Sequence, residues 1–136
     1  MKPDLADVDG IVTKASPRSV ADTVTRLAEI INNKGLTLFS VMDHSGEAEA
    51  VGLKMTDTKL VIFGSPAAGT PVMVASPLAG LDLPLKVLVW ADTNGAVSVS
   101  YNAPEYLAAR HHLTNELRGR LEGIDAITSV LVEPDP

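Results

Sequence analysis

Four groups of residues in this chain have types and spacings that suit chemistry. Asp43 and His44 set a carboxylate beside an imidazole at the end of an apolar run, the pairing a general base or a metal site would use. Gly64, four further residues, Gly69 and Thr70 follow a second apolar run, Leu60-Val61-Ile62-Phe63, as the start of a phosphate-binding loop does. Arg110-His111-His112 brings three nitrogen-rich side chains together. Lys86 interrupts the otherwise apolar run Leu85 to Ala91 and shares a face with Leu88 and Trp90.

Each group has a plainer reading beside the chemical one. A phosphate loop needs a lysine after its second glycine. Here Thr70 and Pro71 follow Gly69, and neither Lys nor Arg occurs between Lys59 and Lys86. The missing lysine and the proline after Thr70 therefore argue against a P-loop and the nucleotide hydrolysis it would serve. Two ideas remain for the stretch: free N–H groups at a helix start near Gly69 and Thr70 that attract an anion, or a turn shaped by glycine and proline. Asp43 and His44 are adjacent, so on a strand they point to opposite faces, and an Asx-type turn with a surface histidine is the alternative. His111 and His112 stand about 100° apart on a helix, whereas zinc-binding pairs are spaced by three or four, so both read as solvated. Lys86 is either an edge-strand charge that blocks aggregation or a cation facing a pocket. No Gly-x-Ser-x-Gly motif supports serine chemistry.

The elements that position these residues follow from periodicity. Ile11 to Ala15 reads as a short strand. Ser19 is a good helix N-cap with Asp22 three residues on, and Val20, Val24, Leu27 and Ile31 form one helical stripe that ends near Gly35. Leu36 to Met42 and Thr58 to Phe63 are strands, with a short helix from Glu47 to Val51 between them. Thr70 to Ala75 reads as a short helix with Pro71 in its first turn. Leu85 to Ala91 and Val97 to Tyr101 are strands joined by Asp92-Thr93-Asn94-Gly95, a hairpin turn. Ser98 and Ser100 give the second of these strands one wet face. A helical turn covers Glu105 to His111, and Thr114 caps a final helix carrying Leu117, Leu121 and Ile124, with Gly119 and Gly123 inside it. This order predicts an α+β two-layer sandwich: a mixed, mainly antiparallel sheet with helices packed on one face. Residues 1–9 read as a disordered tail and 10–134 as a single domain.

Composition narrows the partners. The net charge of -6 argues against nucleic acid, whose backbone an acidic surface repels. With 46% hydrophobic residues but only 4% aromatics, the core must be aliphatic. Cysteine is absent, which removes disulfides, thiol catalysis and cysteine-based metal sites. No secretory leader or membrane-length apolar run stands out, so the expected compartment is the cytoplasm. No cofactor motif and no metal-ligand spacing is present.

Several segments together resemble the family called domain of unknown function 302 (DUF 302): "SVADTVTRLAEIINNKGLTLFSVMDHSGEAEAVGL", "LVIFGSPAAGTPVM", "LDLPLKVLVWAD" and "GAVSVSYNAPEYLAARHHL". They run in the family's order from about residue 16 to 113. The family usually has Asn where this chain has Ser65. The resemblance implies a compact α+β domain able to form homodimers; it does not supply a reaction. It also gives the polar residues Asp43, His44, Thr70, Lys86 and Tyr101 a common reason, a shared cleft with Gly64 and Gly69. The functional expectation is a small-molecule or anion-binding module. The alternatives are an enzyme with His44 as base and Asp43, Lys86 or Tyr101 in support, or a non-catalytic homodimeric interaction protein.

Overall fold

Ser19 starts the longest helix as its chemistry predicts. Its side chain accepts the Asp22 N–H at 3.0 Å, satisfying one of the free donors of the first turn. The helix, α1 (Val20–Asn33), turns Val20, Thr23, Leu27 and Ile31 inward, the stripe its periodicity sets. These positions come from a computed structural model that describes residues 9–135; the expected tail therefore lies outside the described residues apart from Asp9.

The partner surface for α1 is a five-stranded sheet in the order β1-β5-β4-β3-β2. The strands are β1 (Ile11–Ser16), β2 (Thr37–Asp43), β3 (Thr58–Gly64), β4 (Leu85–Ala91) and β5 (Val97–Asn102), and every neighbouring pair is antiparallel. Gly95, at φ +84°, supplies the left-handed turn that joins β4 to β5. Register aligns Val61 with Val87 and Val89 with Val99. That places Val61, Phe63, Val87, Val89, Val99 and Tyr101 on one face, where they form a core with α1 and with Ile124, Ile127 and Leu131. The opposite face carries Leu60, Ile62, Lys86, Leu88 and Trp90, all partly exposed, with Ser98 and Ser100 beside them. The sequence reading of an α+β two-layer arrangement holds, with a wholly antiparallel sheet.

The remaining helices are α2 (His44–Ala50), α3 (Pro66–Ala75), α4 (Pro104–Arg110), α5 (Asn115–Gly119) and α6 (Gly123–Leu131). Three points correct the sequence reading. α2 begins at His44, not Glu47, because Asp43 caps it. α3 begins at Pro66, not Thr70, because Ser65 caps it and Pro66 takes the first helical position, where a missing N–H costs nothing. Thr70 and Pro71 consequently lie inside α3 rather than at its start. The expected single C-terminal helix is two. Three tight bonds, Arg120 N–H to Leu117, Leu121 N–H to Arg118 and Glu122 N–H to Gly119, make a turn between α5 and α6, with Gly119 and Gly123 at its ends.

Leu27 is fully buried at the centre of this packing. Leu27→Ala is expected to cost about 2–5 kcal/mol, since the transfer term and the residual cavity add. Urea denaturation with an unchanged m-value measures it, and a loss below about 1 kcal/mol would show that α1 is not seated on the sheet as described.

Candidate functional site

The end of β3 leads straight into α3, and the sharp change of direction leaves a hollow beside it. This pocket has a volume of about 280 Å³ and is lined by Gly64, Ser65, Pro66, Ala68, Gly69, Thr70 and Met73 from the β3–α3 junction. Leu83, Pro84 and Leu85 enter from the approach to β4 and its first residue, Leu36 and Phe39 from the start of β2, and Arg120, Leu121, Gly123, Ile124 and Ile127 from the α5–α6 turn and α6. The lining is dominated by aliphatic carbon, the usual character of a small-molecule site. Arg120 is its one charged member. Gly69 matters because of what it lacks: a Cβ there would meet only Leu83 Cδ1, at 4.0 Å, so the missing side chain leaves space on the pocket wall.

Behind the wall, Leu83 and Leu121 pack against Val72, Ala79 and Leu107. Asp82, next to Leu83, holds that packing to α4. Its carboxylate lies 2.5 Å from His111 Nε2 and 3.3 Å from Arg110 Nη1. Ser76 Oγ adds a bond to the His111 carbonyl at 3.1 Å. His111 is thus buried, at 8% exposure, which corrects the solvated reading. The sequence could not foresee this, since its partner lies 29 residues away. His112 is exposed, with φ 54°.

The residues expected to share one cleft divide among four places. Gly64, Gly69 and Thr70 line the pocket. Asp43 is the N-cap of α2: its carboxylate accepts the Gly46 N–H at 2.9 Å and the Ser45 Oγ at 3.0 Å. These two bonds, the backbone one the stronger, hold its pKa below the ordinary carboxylate value. His44 is the first residue of α2. Lys86 stands on the central strand, not on an edge, and bends back to donate to the carbonyls of Pro84 at 2.9 Å and Asp82 at 3.2 Å. Burial lowers its pKa, with Asp82 opposing in part. Tyr101 is on the helix-covered face, while Lys86 is on the other. The sheet therefore separates these two side chains. Among the described residues no three of His, Asp or Glu come together as a metal site would require.

Arg120 is the pocket residue that sequence reasoning missed. The only available signal was the glycine pair, Gly119 and Gly123, which brackets it. Ser65, at the departure from the family's usual Asn, accepts the Ala68 N–H at 3.4 Å. Asn and Ser are equivalent as N-caps, so the start of α3 tolerates either.

The fold and the pocket define a small antiparallel α+β sandwich with a largely apolar cavity at the β3–α3 junction. The chain belongs to the family described as domain of unknown function DUF302, whose model matches residues 12–129. It is 40% identical over 113 residues to the fluoride-specific ion channel FluC 1 of Brucella suis biovar 1 (strain 1330), covering 82% of this chain and 44% of that protein. The FluC 1 of Brucella abortus biovar 1 (strain 9-941) matches at the same identity, with 42% of its length covered. The chain thus spans less than half the length of these relatives. Among solved structures, an uncharacterized conserved DUF302 protein from Bacillus stearothermophilus superposes with a TM-score of 0.76 at 18% identity, covering 92% of this chain and 97% of that one. At that identity the likeness is one of fold.

Tyr101 links the sheet to α6. Its hydroxyl donates to Asp125 Oδ1 at 2.5 Å, and Lys14 Nζ lies 5.4 Å from its ring centre. Burial, followed by the bond to Asp125, pushes its pKa up to about 12 from 10.0. The neutral phenol is the favoured folded form. Its contribution to stability is therefore complete below pH 10 and is lost as pH rises through about 12. In Tyr106→Phe, where Tyr101 is the remaining tyrosine, tyrosinate absorbance is expected to rise with a midpoint near 12. A midpoint near that of free tyrosine would contradict the burial and the Asp125 bond.

Proposed function

We propose that this domain is a small-molecule-binding module whose ligand occupies the pocket at the β3–α3 junction. One observation carries the reading: a cavity of about 280 Å³ with an almost wholly apolar lining and a single charged residue. Exposed apolar surface gathered into a concavity gains free energy when a ligand removes it from water. Three of the residues singled out from the sequence, Gly64, Gly69 and Thr70, lie there. A catalytic role for Asp43 and His44 has less support, because Asp43 Oδ1 is engaged in capping α2 and Tyr101 is bonded to Asp125.

The Brucella relatives carry the name of an ion channel. Among the described residues of this chain no helix is long and apolar enough to cross a membrane. The role proposed for this domain is ligand binding, with the cytoplasm as its proposed compartment. A thermal-shift screen of small apolar compounds tests the pocket. Hits are expected to raise the Tm of the native protein and to lose that effect in Gly69→Leu, which fills the free space on the wall while giving helix α3 a better helix former. Shifts that survive Gly69→Leu unchanged would place binding elsewhere, and no hits at millimolar concentration would count against the reading.

We also propose a homodimer. The edge strand β2 is exposed along its length, with Leu38, Phe39, Val41 and Met42 all 40–49% exposed, and its interior carries no charge to repel a second copy. Light scattering at micromolar concentration is expected to give about twice the 14.3 kDa chain mass. A particle of the single-chain mass would refute the dimer.

A further inference from the structure

We infer that the ligand is a small amphiphilic monocarboxylate whose carboxylate pairs with Arg120 while its apolar body fills the cavity. This rests on the reading of the pocket as a ligand site and adds the chemical class of the ligand.

Arg120 is the sole charge on an otherwise largely apolar lining whose hydroxyl-bearing members are Ser65 and Thr70. Ser65 is committed to capping α3. The Arg120 guanidinium, in contrast, is weakly engaged. Among the described residues its ion-pair partner is Glu116, at 3.9 Å from Nη2, too long for a hydrogen bond. Glu116 is 83% exposed, so water screens that attraction and little is lost when a ligand displaces it. The other nearby acid, Glu122, is already paired with Arg118 at 3.2 Å.

The side chain of Arg120 is about two-thirds buried, at 37% exposure. Apolar neighbours lower the local dielectric, which strengthens the attraction for an anion brought to the rim. A guanidinium fork matches a carboxylate through two parallel N–H···O bonds, which a neutral hydroxyl cannot reproduce. Against so apolar a lining a second negative charge is costly to take out of water, which favours a carboxylate over a dianionic phosphate. The starts of α3 and α6 line the same pocket, and their partial positive charge has the same sign as Arg120. The volume sets the size. At about 30 Å³ for each water-sized atom group, 280 Å³ takes on the order of ten non-hydrogen atoms, the range from benzoate to octanoate.

The experiment compares octanoate, 1-octanol and octylamine by calorimetry and by amide NMR shifts at pH 7, with native protein, Arg120→Gln, Arg120→Lys and Gly69→Leu. Octanoate is expected to bind at least about tenfold more tightly than octanol, with octylamine weakest. Arg120→Gln should erase the preference for octanoate over octanol, the two probes being compared within the same variant, while Arg120→Lys keeps part of it. Equal affinities for octanoate and octanol, or a preference that survives Arg120→Gln, would overturn the inference while leaving the pocket as an apolar site. If no probe binds in a manner sensitive to Gly69→Leu, the pocket reading fails and the inference with it.

Discussion

The burial of one face of the sheet against α1 and α6 is the constraint on which the rest of this structure depends. Val61, Phe63, Val87, Val89 and Val99 pack beneath Leu27, Ile31, Ile124 and Leu131. A slip of one residue in any of these strands would turn valines to the outside and Leu60, Ile62 or Leu88 to the helices. Register is therefore fixed by the core, and the lateral position of everything at the strand ends is fixed with it. The pocket lies at such an end.

That position explains why the pocket is open. β3 runs into α3 through Gly64 and Ser65 without an intervening loop, so the helix must leave the sheet at once. On the other side, α6 is held to the core by Ile124, Ile127 and Leu131, and its connection from α5 is a tight turn. Neither helix can move in to close the gap without leaving its own packing. Asp82 then anchors the third wall by binding His111 across the chain. Interactions of that kind contribute modestly to net stability, but losing one partner leaves a buried polar group unmatched.

The mismatch between the residues that looked chemical and the residues that line the pocket has a physical cause. Asp43, His44, Lys86 and Tyr101 attract notice because they are polar among apolar neighbours. In the fold each of Asp43, Lys86 and Tyr101 has a structural partner: a helix N-terminus, a pair of turn carbonyls, and Asp125. Arg120 attracts no notice in a charged, surface-like stretch, yet it is the residue that the α5–α6 turn brings to the cavity. Proline was misleading for a similar reason. Pro66 and Pro71 both fit a helix start, and each follows a residue able to cap, Ser65 or Thr70; the fold begins α3 at the first of them.

Local rules acting on neighbouring residues settled much of this protein. The cap at Ser19, the stripe of α1, the Asn94-Gly95 hairpin, the alternating strand β5 and the aliphatic nature of the core are all legible along the chain, because they depend on propensity and periodicity over a few residues. Family membership was legible too, through the order of several short segments. The tertiary structure alone decided that the sheet is wholly antiparallel, that β4 is central, that His111 is buried against Asp82, and that Arg120 faces the cavity with Gly64, Gly69 and Thr70. Those outcomes depend on contacts between residues far apart in sequence, and a single sequence carries no record of which distant surfaces will meet.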